Sequence, residues 1–478
     1  MPVGRRSVLT GLAAAAAVPS LARSVAAQTR PAGDSIQIKG GYVATLDKDL
    51  GELPAADVLI AGTEIAAIGK DLSAADGEVI DAAHMLVMPG LIDTHRHTWE
   101  TLTRSLISEG DLAVYIKLMF GTLGLHYRPQ DVYIGNLLGA VGALHSGITT
   151  MLDWSHVMNS PAHADAAIRG LADSGMRAVF AYGASAVPGA DASDAVAQRA
   201  ADIKRVQKQY FASENQLLTL AIAARSSPTS VEPTIADIRL AREIGVRITM
   251  HATKAGVVAA LDEAGMLGPD ITCVHTVGLE ATDDELQMIA DHGGTISTSS
   301  GTEMMSGHGF PSAQRWLRHG LRPSFSVDNE TRMPSDLFAQ MRALIIADHQ
   351  LEADRARREG GRPNLIPVRD VLEFATVEGA RAVGLDRKTG TLSVGKRADI
   401  ILVDLDDISL IPATDPIATV VLRAQPANVR WVLVDGQVRK RDGNLLGVDL
   451  ARVRRLVQDS HAYILGLMSS AGFDIHHG

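Results

Sequence analysis

An α/β fold is predicted by this sequence: a (β/α)8 TIM-like barrel with a small β-sandwich-like domain formed from both chain ends. Three observations carry it. Between residues 86 and 390, short β-rich runs alternate with longer helical stretches, and eight such runs can be counted. The flanking segments have a different rhythm, with apolar and polar residues alternating in short strands broken by glycines. No G-x-G-x-x-G or G-x-x-x-x-G-K-[ST] run occurs, so the competing open doubly wound sheet lacks its phosphate loop.

Residues 1–27 read as a signal peptide. Gly4-Arg5-Arg6-Ser7-Val8-Leu9 forms a twin-arginine motif, an apolar stretch follows to Leu21, and Val25-Ala26-Ala27 supplies a small-residue cleavage site. That stretch is too short to span a bilayer permanently. The expectation is export to a periplasm or cell exterior, a mature chain starting near Gln28, and no stable membrane span. After a polar linker, residues 28–85 form the first half of the small β domain, with strands between Ile36 and Ile68 punctuated by Gly40-Gly41 and Gly62.

The barrel is assigned to 86–390, with strands at 86–93, 147–153, 177–182, 217–223, 247–250, 271–274, 294–297 and 324–327. Helices such as 162–173 and 281–292 fill the intervals, as repeated right-handed βαβ units require. Two further apolar runs, 400–403 and 429–434, the second ending in an Asp435-Gly436 turn, complete the small domain over 391–450. Residues 451–478 form a helical tail.

Composition excludes several classes of partner. The 478 residues are 46% hydrophobic, enough for a large core, but only 4% aromatic, and the formal net charge is −10. A phosphate-tracking surface needs a basic excess and stacking platforms, so no nucleic acid is expected. Cys273, the single cysteine, excludes an intramolecular disulfide, and its apolar run makes it a small core residue. The expected partner is a small-molecule substrate, and the expected assembly is a homo-oligomer.

The sharpest local signal is Pro89-Gly-Leu-Ile-Asp-Thr-His95-Arg-His97, at the end of the first barrel strand. Residues two apart on a strand share a face, so two imidazoles can aim at one point. Imidazole nitrogen suits zinc and its neighbours among the transition metals. Polar residues end later strands at the equivalent place: His251, His275 and Asp328. Barrel active sites lie at that face, and five such residues there are hard to explain by structure alone.

With those residues in hand, the chain resembles the amidohydrolase superfamily, in particular its cytosine deaminase and triazine hydrolase branch with a mononuclear metal. The resemblance includes Ser326-Val-Asp328 followed by Asp336-Leu-Phe-Ala-Gln-Met-Arg342, and the late segment Gly390-Thr-Leu-Ser-Val-Gly395-Lys396-Arg-Ala-Asp399. It implies that His95, His97, His251 and Asp328 bind one divalent metal ion, zinc first, with iron, cobalt or manganese as alternatives. It also makes Asp328 the base on the metal's water, and gives His275 the task of polarising the substrate or orienting that water. The end of the fourth strand carries Arg225-Ser226, neither the Lys nor the Glu that bridges two ions in binuclear relatives.

The chain also departs from that branch. His251-Ala-Thr-Lys254 places a lysine where ring deaminases carry a proton-shuttling glutamate, and Ser297-Thr-Ser-Ser-Gly301 replaces a His-Asn-Pro run. The expected activity is therefore metal-dependent hydrolysis of a non-peptide C–N bond in an amide, urea, carbamate or cyclic amide. Heteroaromatic deamination or dechlorination is one alternative, and a catalytically retired secreted metal- or ligand-binding protein is another. Trp99, Glu303 and His308 are the expected substrate-binding residues, with Glu330, Asp153 and His156 as further loop candidates.

Overall fold

A computed structural model describes residues 35–73, 77–227, 229–278 and 281–473. The predicted signal peptide lies outside the described residues. Eight parallel strands form one sheet in chain order, labelled here β1 (Leu91–Arg96), β2 (Ile148–Ser155), β3 (Arg177–Tyr182), β4 (Leu218–Ala223), β5 (Arg247–His251), β6 (Ile271–Val274), β7 (Thr295–Thr298) and β8 (Ser324–Phe325). Every residue of β2 and β3 is buried, as strands covered on both faces must be. Helices run between most successive strands, among them Pro161–Ser174 and Asp283–Asp291.

The sheet closes where its last strand meets its first. The Asp328 amide donates to the His95 carbonyl at 2.9 Å and the His97 amide to the Asp328 carbonyl at 2.7 Å. Below them, Thr94 Oγ1 donates to the Phe325 carbonyl at 2.9 Å. Backbone pairing of this kind fixes the relative register of His95, His97 and Asp328 before any side chain is considered.

The run 86–93 divides where the sequence reading had one strand. Met85–Pro89 belongs to the small sheet, pairing with Ser35–Ala44 and Ile400–Asp404, and the barrel strand begins at Leu91. Gly90 is the pivot. A Cβ there would lie 2.1 Å from Thr149 Oγ1, so only glycine lets the chain pass β2 while changing sheets.

The small sheet has nine strands drawn from residues 35–89 and 400–445. Ile36, Val58, Ile65, Leu402 and Leu433, from both chain ends, share one buried cluster. Arg177 at the start of β3 ties this sheet to the barrel, its Nε 2.7 Å from Asp399 and its Nη2 2.9 Å from Asp435. The C-terminal helix Leu450–Ser470 packs on helix Pro129–His145, with Arg128 over the Tyr463 ring. Cys273 is buried, and burial pushes its thiol up to about 12, which suits a packed, unreactive group. Among the described residues no helix is long and apolar enough to cross a membrane.

Candidate metal centre

The five strand-end residues converge. His95 and His97 leave β1 on one face, His251 ends β5, and His275 and Asp328 follow β6 and β8. Asp328 Oδ1 lies 3.4 Å from His95 Nε2, 3.3 Å from His97 Nε2 and 3.9 Å from His275 Nε2. His251 Nε2 is 3.3 Å from His95 Nε2. Among the described residues His95, His97 and His251, and likewise His95, His275 and Asp328, offer ligand atoms within 4.8 Å of one another. His275 and Asp328 hold left-handed backbone at φ 65° and 69°, a conformation uncommon outside glycine and concentrated at functional sites.

The donor set fits a cation. His97 donates from Nδ1 to the Trp154 carbonyl at 3.3 Å, so its Nε2 presents a lone pair to the Asp328 carboxylate unless a second proton sits there. Burial opposes that proton, yet Asp328 and Glu100 raise His97 above its ordinary value. Burial pushes His95 down to about 3 and His251 well below the usual range. Burial also disfavours the Asp328 anion, but His95 and His97 override it and hold the carboxyl well below the usual carboxylate range. Neutral His95 and His251 beside an ionised carboxylate call for positive charge at their centre, which a divalent ion supplies to the whole set.

A supporting layer orients this set. Asn329 Nδ2 donates to Asp328 Oδ2 at 3.1 Å. The Trp154 ring lies 4.0 Å from that of His251. Behind them Arg96, fully buried, contacts Asp93 at 2.7 Å and Glu330 at 2.8 Å, while Asp93 accepts from the Val327 amide at 3.2 Å. Such partners fix ligand geometry in metal sites generally.

Other predicted residues take different places. His308 lines the cavity over the centre, its ring parallel to that of His275. Glu303 does not reach the cavity: it is fully buried and accepts from Thr298 Oγ1 at 2.6 Å and the Ser299 amide at 2.9 Å, with His275 Nδ1 at 3.0 Å. It anchors His275. Trp99 is likewise no wall of the cavity: it is fully buried behind His156, to whose Nδ1 its indole N–H donates at 2.8 Å. Glu330 is spent on Arg96 and Arg104, and Asp153 on Asn136 and the Thr98 amide.

The cavity holds about 370 Å3 and is lined by His97, His251, His275 and Asp328 together with residues of the connections between strands, among them Tyr115, Phe120, His156 and Arg332. Asp328 is the one carboxylate among the described residues lining it. An adjoining cavity of about 360 Å3 shares His251, Ser226 and Thr253 with it and carries Lys254. A larger cavity, about 670 Å3, touches none of the converging residues. Sequence reading missed Tyr115 and Phe120, on the short helices Leu112–Leu118 and Met119–Leu123, and Arg332, on a turn after β8, none of which has a strand-end signature. It also missed Glu100, fully buried behind the cavity and raised by burial to about 8.

A family model described as the amidohydrolase family matches residues 86–439. Over 437 residues the chain is 29% identical to a 5'-deoxyadenosine deaminase of Methanosarcina barkeri, covering 87% of this chain and 95% of that protein. It is 24% identical to a 5-methylthioadenosine/S-adenosylhomocysteine deaminase of Pyrococcus abyssi, covering 88% and 97%. The fold matches that of atrazine chlorohydrolase from Arthrobacter aurescens TC1 complexed with zinc, with a TM-score of 0.78 at 23% identity over 89% of this chain and 100% of that one. It also matches an adenosine deaminase from Xanthomonas campestris with bound zinc, with a TM-score of 0.80 at 20% identity over 90% and 98%.

Proposed function

The chain belongs to the amidohydrolase family, and from that premise we propose that His95, His97, His251 and Asp328 hold one divalent ion, zinc in the first instance, for the hydrolysis of neutral amides, ureas, carbamates or cyclic amides. It is a metal-dependent hydrolase acting on C–N bonds other than peptide bonds. When bound, such an ion supplies Lewis acidity, polarising an electrophile and lowering the pKa of a water it holds. Asp328, held by Asn329, would serve as the base beside such an ion. His275, anchored by Glu303, orients the oxygen of the substrate under attack.

The observation that carries the substrate class is that, among the described residues, the cavity has no carboxylate but Asp328, with Lys254 three residues after His251. Ring deamination needs an acid to protonate a ring nitrogen, and such an acid contributes roughly 10²- to 10⁴-fold. A carbonyl polarised by the metal needs no such donor. Metal-loaded protein, screened against amides, ureas and cyclic amides beside cytosine, adenosine and azines, is expected to favour the carbonyl compounds and to lose activity with chelator. The names of the deaminase relatives favour a second reading, hydrolysis at a heteroaromatic ring. Efficient adenosine or cytosine deamination that survives Lys254→Ala would establish that reading and displace the first.

Segment 1–27 is proposed to direct export by the twin-arginine route, to a periplasm or beyond, on the strength of its residue order alone. Replacing Arg5 and Arg6 by Lys should retain the protein in the cytoplasm of a producing bacterium, read by fractionation. Unchanged export would remove the proposal. A homo-oligomer remains the expected assembly.

A further inference from the structure

His156 follows β2 and its ring stacks on that of His97, centroids 4.2 Å apart and planes 12° from parallel. Phe120 meets it edge-on at 4.8 Å, and the residue lines the cavity over the metal centre. Its Nδ1 receives the Trp99 indole N–H at 2.8 Å.

That one contact determines the tautomer. An indole nitrogen donates and never accepts, so Nδ1 of His156 must offer a lone pair. The ring is then neutral, and its single N–H is on Nε2. Protonation at Nδ1 would set two donors against each other in a buried place. The Nε2 atom is itself shielded from solvent and has no hydrogen-bond partner among the described residues. A buried donor left unmade is costly, and native structures satisfy nearly all of them.

We propose that His156 is a substrate-orienting donor: Trp99 holds its imidazole so that Nε2–H donates to an acceptor atom, a carbonyl oxygen or an unprotonated ring nitrogen, of the molecule bound beside the metal. The assignment rests on the hydrolytic reading above and deepens it, because it requires the substrate to present a neutral acceptor on the His97 side of the cavity. Trp99 becomes a positioning residue. It never touches the substrate, yet it decides which nitrogen of His156 is the donor.

The test uses zinc-loaded protein labelled with 15N at histidine. His156 is expected to show a protonated Nε2 and an unprotonated Nδ1, and Trp99→Phe to remove that preference. His156→Phe keeps a flat ring without a donor. It should lower kcat/KM on the best carbonyl substrate of the panel about tenfold, as loss of one hydrogen bond does, with zinc content unchanged. His156→Gln restores both functions, an oxygen for Trp99 and an amide N–H for substrate, and should recover activity to within about threefold of wild type, whereas His156→Glu, which offers Trp99 an oxygen but the substrate no N–H, should stay as low as His156→Phe.

A protonated Nδ1 in the wild type overturns the proposal. So does wild-type activity in His156→Phe, or a His156→Gln variant no better than His156→Phe. If wild-type protein hydrolyses nothing in the panel, the hydrolytic reading falls, and His156 is judged by calorimetric binding of hydantoin. Binding that weakens about tenfold in His156→Phe upholds the donor, whereas equal or undetectable binding in both proteins refutes it.

Discussion

Asp328→Asn is expected to lower turnover by about 10⁴-fold, the upper end of what a positioned base contributes, because Asp328 occupies two roles. Its Oδ1 stands within 3.4 Å of both His95 and His97, where a divalent ion would meet it, and it is the one carboxylate among the described residues lining the cavity. Asparagine keeps the shape and can still meet Asn329, but it can neither take a proton nor neutralise the cation. His95→Ala should go further and lose the metal, since two neighbouring imidazoles and a carboxylate would then surround a gap. Elemental analysis should find about one ion per chain in the wild type and well under half of that in His95→Ala. Full metal content in His95→Ala, or a firm two ions per chain both needed for activity, would show that the ligand set is misassigned.

Arg96→Met should destabilise the fold by about 3–5 kcal/mol, the usual cost of removing one partner from a buried ion pair. Arg96 and Asp93 are both fully buried. Burial presses the Asp93 carboxyl upward, and Arg96 is the charge that opposes it. Glu330 would keep Arg104, but Asp93 would be left with backbone amides alone. The loss is read by urea unfolding of the metal-loaded protein. Adding Asp93→Asn to Arg96→Met should restore part of it, because the uncompensated charge is then gone. A loss below about 1 kcal/mol would mean that Arg96, bridging Asp93 and Glu330, does not clamp β1 to the segment after β8.

What could be read from the sequence was whatever repeats locally. The barrel strands announce themselves as apolar runs at similar intervals, and a polar residue ending such a run is visible without any tertiary information. That is why His95, His97, His251, His275 and Asp328 could be named as a group. Pairing across the chain is not local, so the change of sheet at Gly90 stayed hidden: nothing in Met85–Leu91 reveals that Thr149 will press against it. The same holds for Trp99 and Glu303. Each sits at a plausible distance from a strand end, but whether a side chain faces the cavity or the layer behind it depends on which partner satisfies its polar atom. Trp99 found His156 and Glu303 found His275, so each stands behind a histidine that lines the cavity. Loop residues such as Arg332 enter the cavity by a path that no periodicity encodes.

The small sheet has a consequence for the order of synthesis. Met85–Pro89 pairs on one side with Ser35–Ala44, already made, and on the other with Ile400–Asp404. The second partner leaves the ribosome roughly 300 residues later, about 15 to 60 s at ~5–20 residues per second. Through that interval the strand leading into the metal-binding segment has one bare edge, and Arg177 lacks both of its carboxylate partners. A chain released early would carry the barrel strands and every proposed ligand and still be unable to close the sheet beneath them. Completion of the molecule is therefore timed by its last hundred residues, none of which, among those described, lines the metal centre or its cavity.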